Sequence, residues 1–132
     1  MTSHISHTTV DCADAHRLSA WWKQVLDYTD LPGDPNEAGD EECMIQRRDG
    51  GHHLLFIEVP DRKSGKNRLH LDLRPTDRSR DEEVERLLAA GATLVDDQRD
   101  RHGPATGWAV LADPEGNEFC VLRSDAERQP TA

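Results

Sequence analysis

Aromatic side chains make up only 5% of the 132 residues. A cavity built purely to sequester a small molecule is walled mainly by aromatic and apolar groups, so this shortage weighs against a passive trap. Cysteine is sparse as well: Cys12, Cys43 and Cys120 are odd in number, and none stands in a CxxC pair. That pattern suits reduced thiols rather than a disulfide framework or a structural zinc site. Basic residues are outnumbered 16 to 26, for a net charge of −10, which argues against nucleic acid and against an anionic membrane surface as partners. No run approaches the roughly 18 apolar residues of a membrane span, and Met1-Thr2-Ser3-His4 does not open a charged-then-apolar leader. Neither a span nor a signal peptide is expected, and the cytoplasm is the expected compartment.

The strongest local signal lies near the end of the chain. Gly107–Ala112 and Asn117–Leu122 are β-prone runs joined by Asp113-Pro114-Glu115-Gly116. Pro114 presets φ for a turn there and Gly116 accepts positive φ, so the segment reads as a hairpin of fixed register. Side-chain alternation then puts Glu118, Cys120 and Leu122 on one face and Phe119 and Val121 on the other.

Further elements follow from periodicity. Ile5–Asp11 alternates as a strand with Ile5, His7 and Thr9 on one side. Asp14 caps a helix whose stripe is Leu18, Trp21, Trp22, Val25 and Leu26. Residues 31–40 carry Pro32, Gly33, Pro35 and Gly39 and read as a loop. Strands over Cys43–Arg48 and His53–Val59 flank Asp49-Gly50-Gly51, with His52 and His53 expected at an exposed tip. Arg68–Leu73 alternates strictly, with three leucines on one face and Arg68, His70 and Asp72 on the other. Ser79 and Glu82 form a capping box for a helix carrying Val84, Leu87 and Leu88, ended by Gly91. Ala92–Asp96 is a strand, and residues 123–132 lack periodicity and are expected to fray.

Each half therefore reads strand, helix, then three strands, with module one at about residues 4–60, module two at about 66–124 and a tail at 125–132. His7 to His70, Phe56 to Phe119 and Ile57 to Cys120 are each 63 positions apart. One offset is thus expected to superpose the first and last strands of both halves, placing His7, Ile57, His70 and Cys120 at equivalent positions.

Three stretches carry a resemblance to a known family: Ala20–Leu26, Lys66–Leu73 and Asp113–Phe119. They resemble the vicinal oxygen chelate superfamily, which includes glyoxalase I, extradiol dioxygenases, fosfomycin-resistance thiol transferases and bleomycin-binding proteins. The match is to its compact bacterial glyoxalase-like members. The resemblance implies an α+β fold in which two βαβββ modules form a curved eight-stranded mixed sheet around a cavity. It also implies a homodimer, and metal ligands at the positions of His7, Ile57, His70 and Cys120. Ile57 cannot ligate, and Cys120 stands where metal-dependent relatives usually place a carboxylate. Two imidazoles and a thiolate, His7, His70 and Cys120, suit zinc, nickel or copper better than magnesium or manganese. The alternative makes Cys120 a small buried hydrophobe and leaves the site without a metal. Glu118 and His70 are the acid–base candidates, and Arg68, Asp72, Trp108 and Thr9 are the expected substrate contacts. The expected function is a lyase, isomerase or transferase acting on a small oxygenated or electrophilic molecule, with sequestration of a small molecule or antibiotic as the alternative.

Overall fold

The computed structural model describes residues 1–128 and divides into two compact units, Met1–Lys63 and a second beginning at Ser64. The first contains β1 (Thr8–Cys12), α1 (Ala15–Leu26), β2 (Thr29–Asp30), β3 (Glu42–Gln46) and β4 (His53–Glu58), with sheet order β1-β4-β3-β2. The second contains β5 (Leu71–Leu73), α2 (Arg80–Ala89), β6 (Thr93–Asp97), β7 (Ala109–Ala112) and β8 (Glu118–Val121), with order β5-β8-β7-β6, followed by the short α3 (Asp125–Arg128). In each unit the first strand runs parallel to the last and the other pairs are antiparallel. The fold is α+β and built from two βαβββ modules, its eight strands falling into two mixed sheets of four.

Period-2 alternation explains both cores. In the first unit Cys43, Ile45, Leu54 and Phe56 are buried beside Leu18 and Trp22 of α1. In the second, Ala109, Leu111, Phe119 and Val121 are buried with Val84 and Leu87 of α2. Truncating a buried phenylalanine such as Phe56 or Phe119 to alanine costs about 3–5 kcal/mol in such a setting. Both helices start as their sequences require. The Asp14 carboxylate accepts the Arg17 amide at 3.1 Å, and the Ser79–Glu82 capping box is complete in both directions. On the helix side of β4, Glu58 accepts the Ala15 amide at 3.0 Å, adding a second acceptor to the start of α1.

Several boundaries differ from the sequence reading. β1 begins at Thr8 rather than Ile5, and Ile5 is 88% exposed. β5 is cut to Leu71–Leu73 because the chain bends at Arg68–Leu69, leaving Leu69 89% exposed instead of sharing the partly buried face of Leu71 and Leu73. The tail expected to fray carries α3 over Asp125–Arg128, capped by the Ser124 hydroxyl on the Glu127 amide; its last four positions, 129–132, lie outside the described residues. His52 is not an exposed tip. It is half-buried, its Nδ1 lying 2.6 Å from the Tyr28 hydroxyl, and burial lowers the imidazole and raises the phenol, favouring the uncharged pair.

The single 63-residue offset also fails, for a reason internal to each sheet. Val10 pairs with Phe56 in the first unit, whereas Leu71 pairs with Phe119 in the second. If Phe56 and Phe119 are matched, β1 and β5 are related by 61 positions rather than 63, and Thr9, not His7, becomes the counterpart of His70. A shift of two residues preserves which face each side chain takes, so the burial pattern survives although the positional symmetry does not.

The turn after β7 is fastened by one carboxylate. Asp113, 3% exposed, accepts the amides of Glu115 and Asn117, each at 2.9 Å, and the Asn117 side-chain amide at 3.1 Å. Its own amide donates to the Asn117 carbonyl at 2.8 Å. The loop between β6 and β7 is tied down differently. Arg80, 3% exposed, donates to the carbonyls of Thr106 at 2.6 Å and Gly107 at 3.2 Å. Gly107 has φ 82, and a side chain there would run into the Gln98 carbonyl.

Asp113→Ala leaves the part-buried amides of Glu115 and Asn117 without their acceptor and is expected to cost about 1–3 kcal/mol in urea denaturation, while Asp113→Asn, which keeps one acceptor oxygen, costs less. Asp97 supplies a pH test. The Arg99 guanidinium, bound to both its oxygens at 2.9 Å, holds the Asp97 carboxyl at about 2 against an ordinary 3.8. A folded-state value below the unfolded one contributes stability that is present above about pH 3.8 and is lost as pH falls through about 2. Wild type is therefore expected to exceed Asp97→Asn in stability at neutral pH, with the gap closing towards pH 2.

Candidate functional site

The second unit gathers three potential ligands on the face of its sheet opposite α2. Asp72 of β5 and Cys120 of β8 are register partners across a parallel pair, and alternation turns both away from the face that carries Phe119 and Val121. His70 lies one residue before β5, its Nε2 3.3 Å from Asp72 Oδ1. One ligand atom from each of His70, Asp72 and Cys120 falls within 4.8 Å of the others. The His70 and Asp72 side chains are 46% and 51% exposed, whereas Cys120 is buried at 5%. The group therefore has a buried sulfur floor and a solvent-facing side on which a small molecule can approach.

The electrostatics define what this trio can do unaided. Burial, reinforced by the neighbouring Asp72 carboxylate, pushes the Cys120 thiol up to about 11. A nucleophilic cysteine needs the opposite, a thiolate stabilised by positive charge, so the trio does not behave as a Cys-His-Asp nucleophile. His70, Asp72 and Cys120 would be the residues to hold a divalent cation, whose charge would favour the thiolate and satisfy the carboxylate. One imidazole, one carboxylate and one thiolate fit a borderline ion such as zinc or nickel, and three protein donors leave positions for a substrate.

The remaining expected site residues are placed as follows. Glu118 sits on the same face of β8 as Cys120, with its side chain 10% exposed. Both of its oxygens are engaged, one by Lys66 Nζ at 3.0 Å and the other by the Asn67 amide at 2.9 Å. Arg68 is exposed at the bend ahead of His70 and makes no ion pair with another described residue. Trp108, 40% exposed, immediately precedes β7, where alternation gives it the face of Val110, the register partner of Cys120. Thr9 and His7 belong to the first unit. Thr9 is exposed on β1 opposite Leu55, and His7 precedes β1 with its Nδ1 2.9 Å from the Ser6 hydroxyl. The structure brings His70, Asp72 and Cys120 together, whereas the sequence groups His7 with His70 and Cys120 and gives Asp72 to the substrate. Parity already put Asp72 on the face of His70. What it lacked was the pairing of β5 with β8, a contact between segments 48 positions apart.

A family model described as a glyoxalase-like domain matches residues 7–122. No curated protein matches the sequence closely enough to show kinship. Among solved structures, the fosfomycin resistance protein FosX from Listeria monocytogenes, a point mutant complexed with Mn(II) and 1S,2S-dihydroxypropylphosphonic acid, is similar at TM-score 0.70 and 18% identity, covering 96% of this chain and 94% of its own. FosX from Mesorhizobium loti is similar at TM-score 0.64 and 16% identity, with 92% of both chains covered. A glyoxalase/bleomycin resistance protein/dioxygenase family enzyme from Burkholderia phytofirmans is similar at TM-score 0.65 and 21% identity, covering 88% of this chain and 94% of its own. At these identities the structural likeness establishes the fold.

Proposed function

The chain belongs to the glyoxalase-like family of the vicinal oxygen chelate superfamily, and on that premise we propose that it is an enzyme that modifies a small oxygenated or electrophilic molecule at a divalent metal centre. His70, Asp72 and Cys120 hold the ion, and the observation that carries this reading is the convergence of their three ligand atoms within 4.8 Å on one open sheet face. Once bound, the cation supplies Lewis-acid polarisation of a substrate oxygen. The thiolate favours zinc, nickel or copper over magnesium and manganese, in contrast to the Mn(II) recorded with the similar Listeria protein.

Around that centre the chain's own residues bind and orient. Arg68, an exposed cation without an ion-pair partner among the described residues, anchors an acidic group of the substrate, and Trp108 lends an apolar wall on the same face as Cys120. The similar Listeria protein carries a dihydroxypropylphosphonic acid, a small oxygenated acid of the kind such a cation accommodates. Chemistry of the lyase, isomerase or transferase type fits this arrangement. We further propose a homodimer, because the edge strand β6 leaves Leu94 and Val95 45% and 50% exposed, and open apolar edges call for cover. Light scattering at micromolar concentration is expected to give twice the 14.9 kDa chain mass; the mass of a single chain overturns the dimer. No helix among the described residues is long and apolar enough to cross a membrane.

Metal analysis of untagged protein and zinc titration test the central claim. His70→Ala and Cys120→Ser are each expected to weaken zinc affinity at least about tenfold while the protein stays folded by circular dichroism. His7→Ala reads the contribution of the imidazole expected from the sequence alone. Zinc affinity unchanged in both His70→Ala and Cys120→Ser refutes the metal centre and turns the reading towards metal-free binding of a small molecule.

A further inference from the structure

His70 is the one member of the trio that no ladder holds. β5 begins only at Leu71, and a half-exposed imidazole at the end of a loop has several rotamers open to it, each costing entropy to exclude. What limits it is found on β8, four elements further along the chain. Beyond the last register pair, Leu71 with Phe119, a continued parallel ladder would set His70 beside Glu118. The chain instead bends at Arg68–Leu69, and side-chain groups take over the missing bonds. The Glu118 amide donates to Asn67 Oδ1 at 3.3 Å, and the Asn67 amide donates to Glu118 Oε1 at 2.9 Å. Asn67 Nδ2 then donates to the Leu69 carbonyl at 3.1 Å, closing the bend just before His70. Lys66 adds a bond to Glu118 Oε2 at 3.0 Å, but its side chain is 75% exposed.

We propose that Asn67 and Glu118 are positioning residues: their reciprocal clamp fastens segment 66–70 to β8 and so aims His70 at Asp72 and Cys120. Glu118 acts through His70 rather than as the acid–base group. Its low exposure and its two engaged oxygens are those of a strut, and its place two residues before Cys120 on one face puts the strut on the strand that carries the sulfur. This role rests on the reading of the trio as a metal centre, but the aiming itself exists in the metal-free chain.

The test uses the full chain with Zn(II) and Co(II) as probes, together with proton NMR of the metal-free protein. Asn67→Ala and Glu118→Ala are expected to weaken zinc affinity about 10–100-fold, to alter the Co(II) absorption spectrum, and to remove the Overhauser contact between the His70 ring and the Cys120 side chain. Glu118→Gln keeps an acceptor oxygen for the Asn67 amide and is expected to rescue all three readouts. Lys66→Ala is expected to stay within about twofold of wild type, because an exposed ion pair contributes little. Unchanged affinity and an unchanged Overhauser contact in Asn67→Ala and Glu118→Ala overturn the proposal, and so does a Glu118→Gln variant as impaired as Glu118→Ala. If wild type binds neither ion while the Overhauser contact follows the clamp, the metal reading fails and the positioning role stands.

Discussion

The buried carboxylate of Asp113 is the constraint on which the second unit depends. A turn in which one carboxylate takes the amides of Glu115 and Asn117 has a single register, and the register decides everything downstream on β8. With it set, Phe119 and Val121 enter the core under α2 while Glu118 and Cys120 take the open face. β5 then pairs with β8 and delivers Asp72 opposite Cys120. A slip of one residue would exchange the two faces, burying a carboxylate and exposing a phenylalanine, at a cost of several kcal/mol from the unpaired charge alone.

Charge is used unevenly across the molecule. Pairs such as Arg47–Asp49 and Arg48–Asp27 are more than half exposed on both sides, where solvent screening leaves them little effect on stability. Arg80 differs because its head is buried: Nη1 donates to backbone carbonyls of the loop between β6 and β7, while Nε and Nη2 meet the Asp81 and Asp100 carboxylates. In that position it substitutes for a strand partner, tying irregular chain to the start of α2. The Glu127 carboxylate completes the arrangement by accepting the Arg80 amide at 2.7 Å, so the start of α2 is held by its own capping box and by α3 together.

The local signals were legible where one residue type has one physical use. The Ser79–Glu82 capping box, the Asp14 cap, the positive φ of Gly50 and the hairpin around Asp113 were all readable because each depends on neighbours within five positions. The faces of the strands were readable from alternation: Glu58 shares the parity of Phe56 and is found on the helix side, accepting the Ala15 amide. Less was legible where an element ends without a turn residue. Nothing between Arg68 and Leu73 marks the bend at Arg68–Leu69, and the bonds beside it join Asn67 to Glu118, 51 positions away.

The sequence by itself determined the α+β class, the two βαβββ modules, the helix starts and the sidedness of nearly every strand, because hydrophobic periodicity and capping act over a single turn or a few residues. Only the tertiary structure decided the pairing registers. Those registers separate Val10 from Phe56 by 46 positions and Leu71 from Phe119 by 48, so the even spacing of His7 and His70 is not a positional symmetry. Register between distant strands depends on how two cores fill and on where a side-chain clamp interrupts a ladder, and neither is written in local periodicity. For the same reason Asp72 stood in the sequence only as a substrate contact on the face of His70, and its place opposite Cys120 followed from β5 lying beside β8.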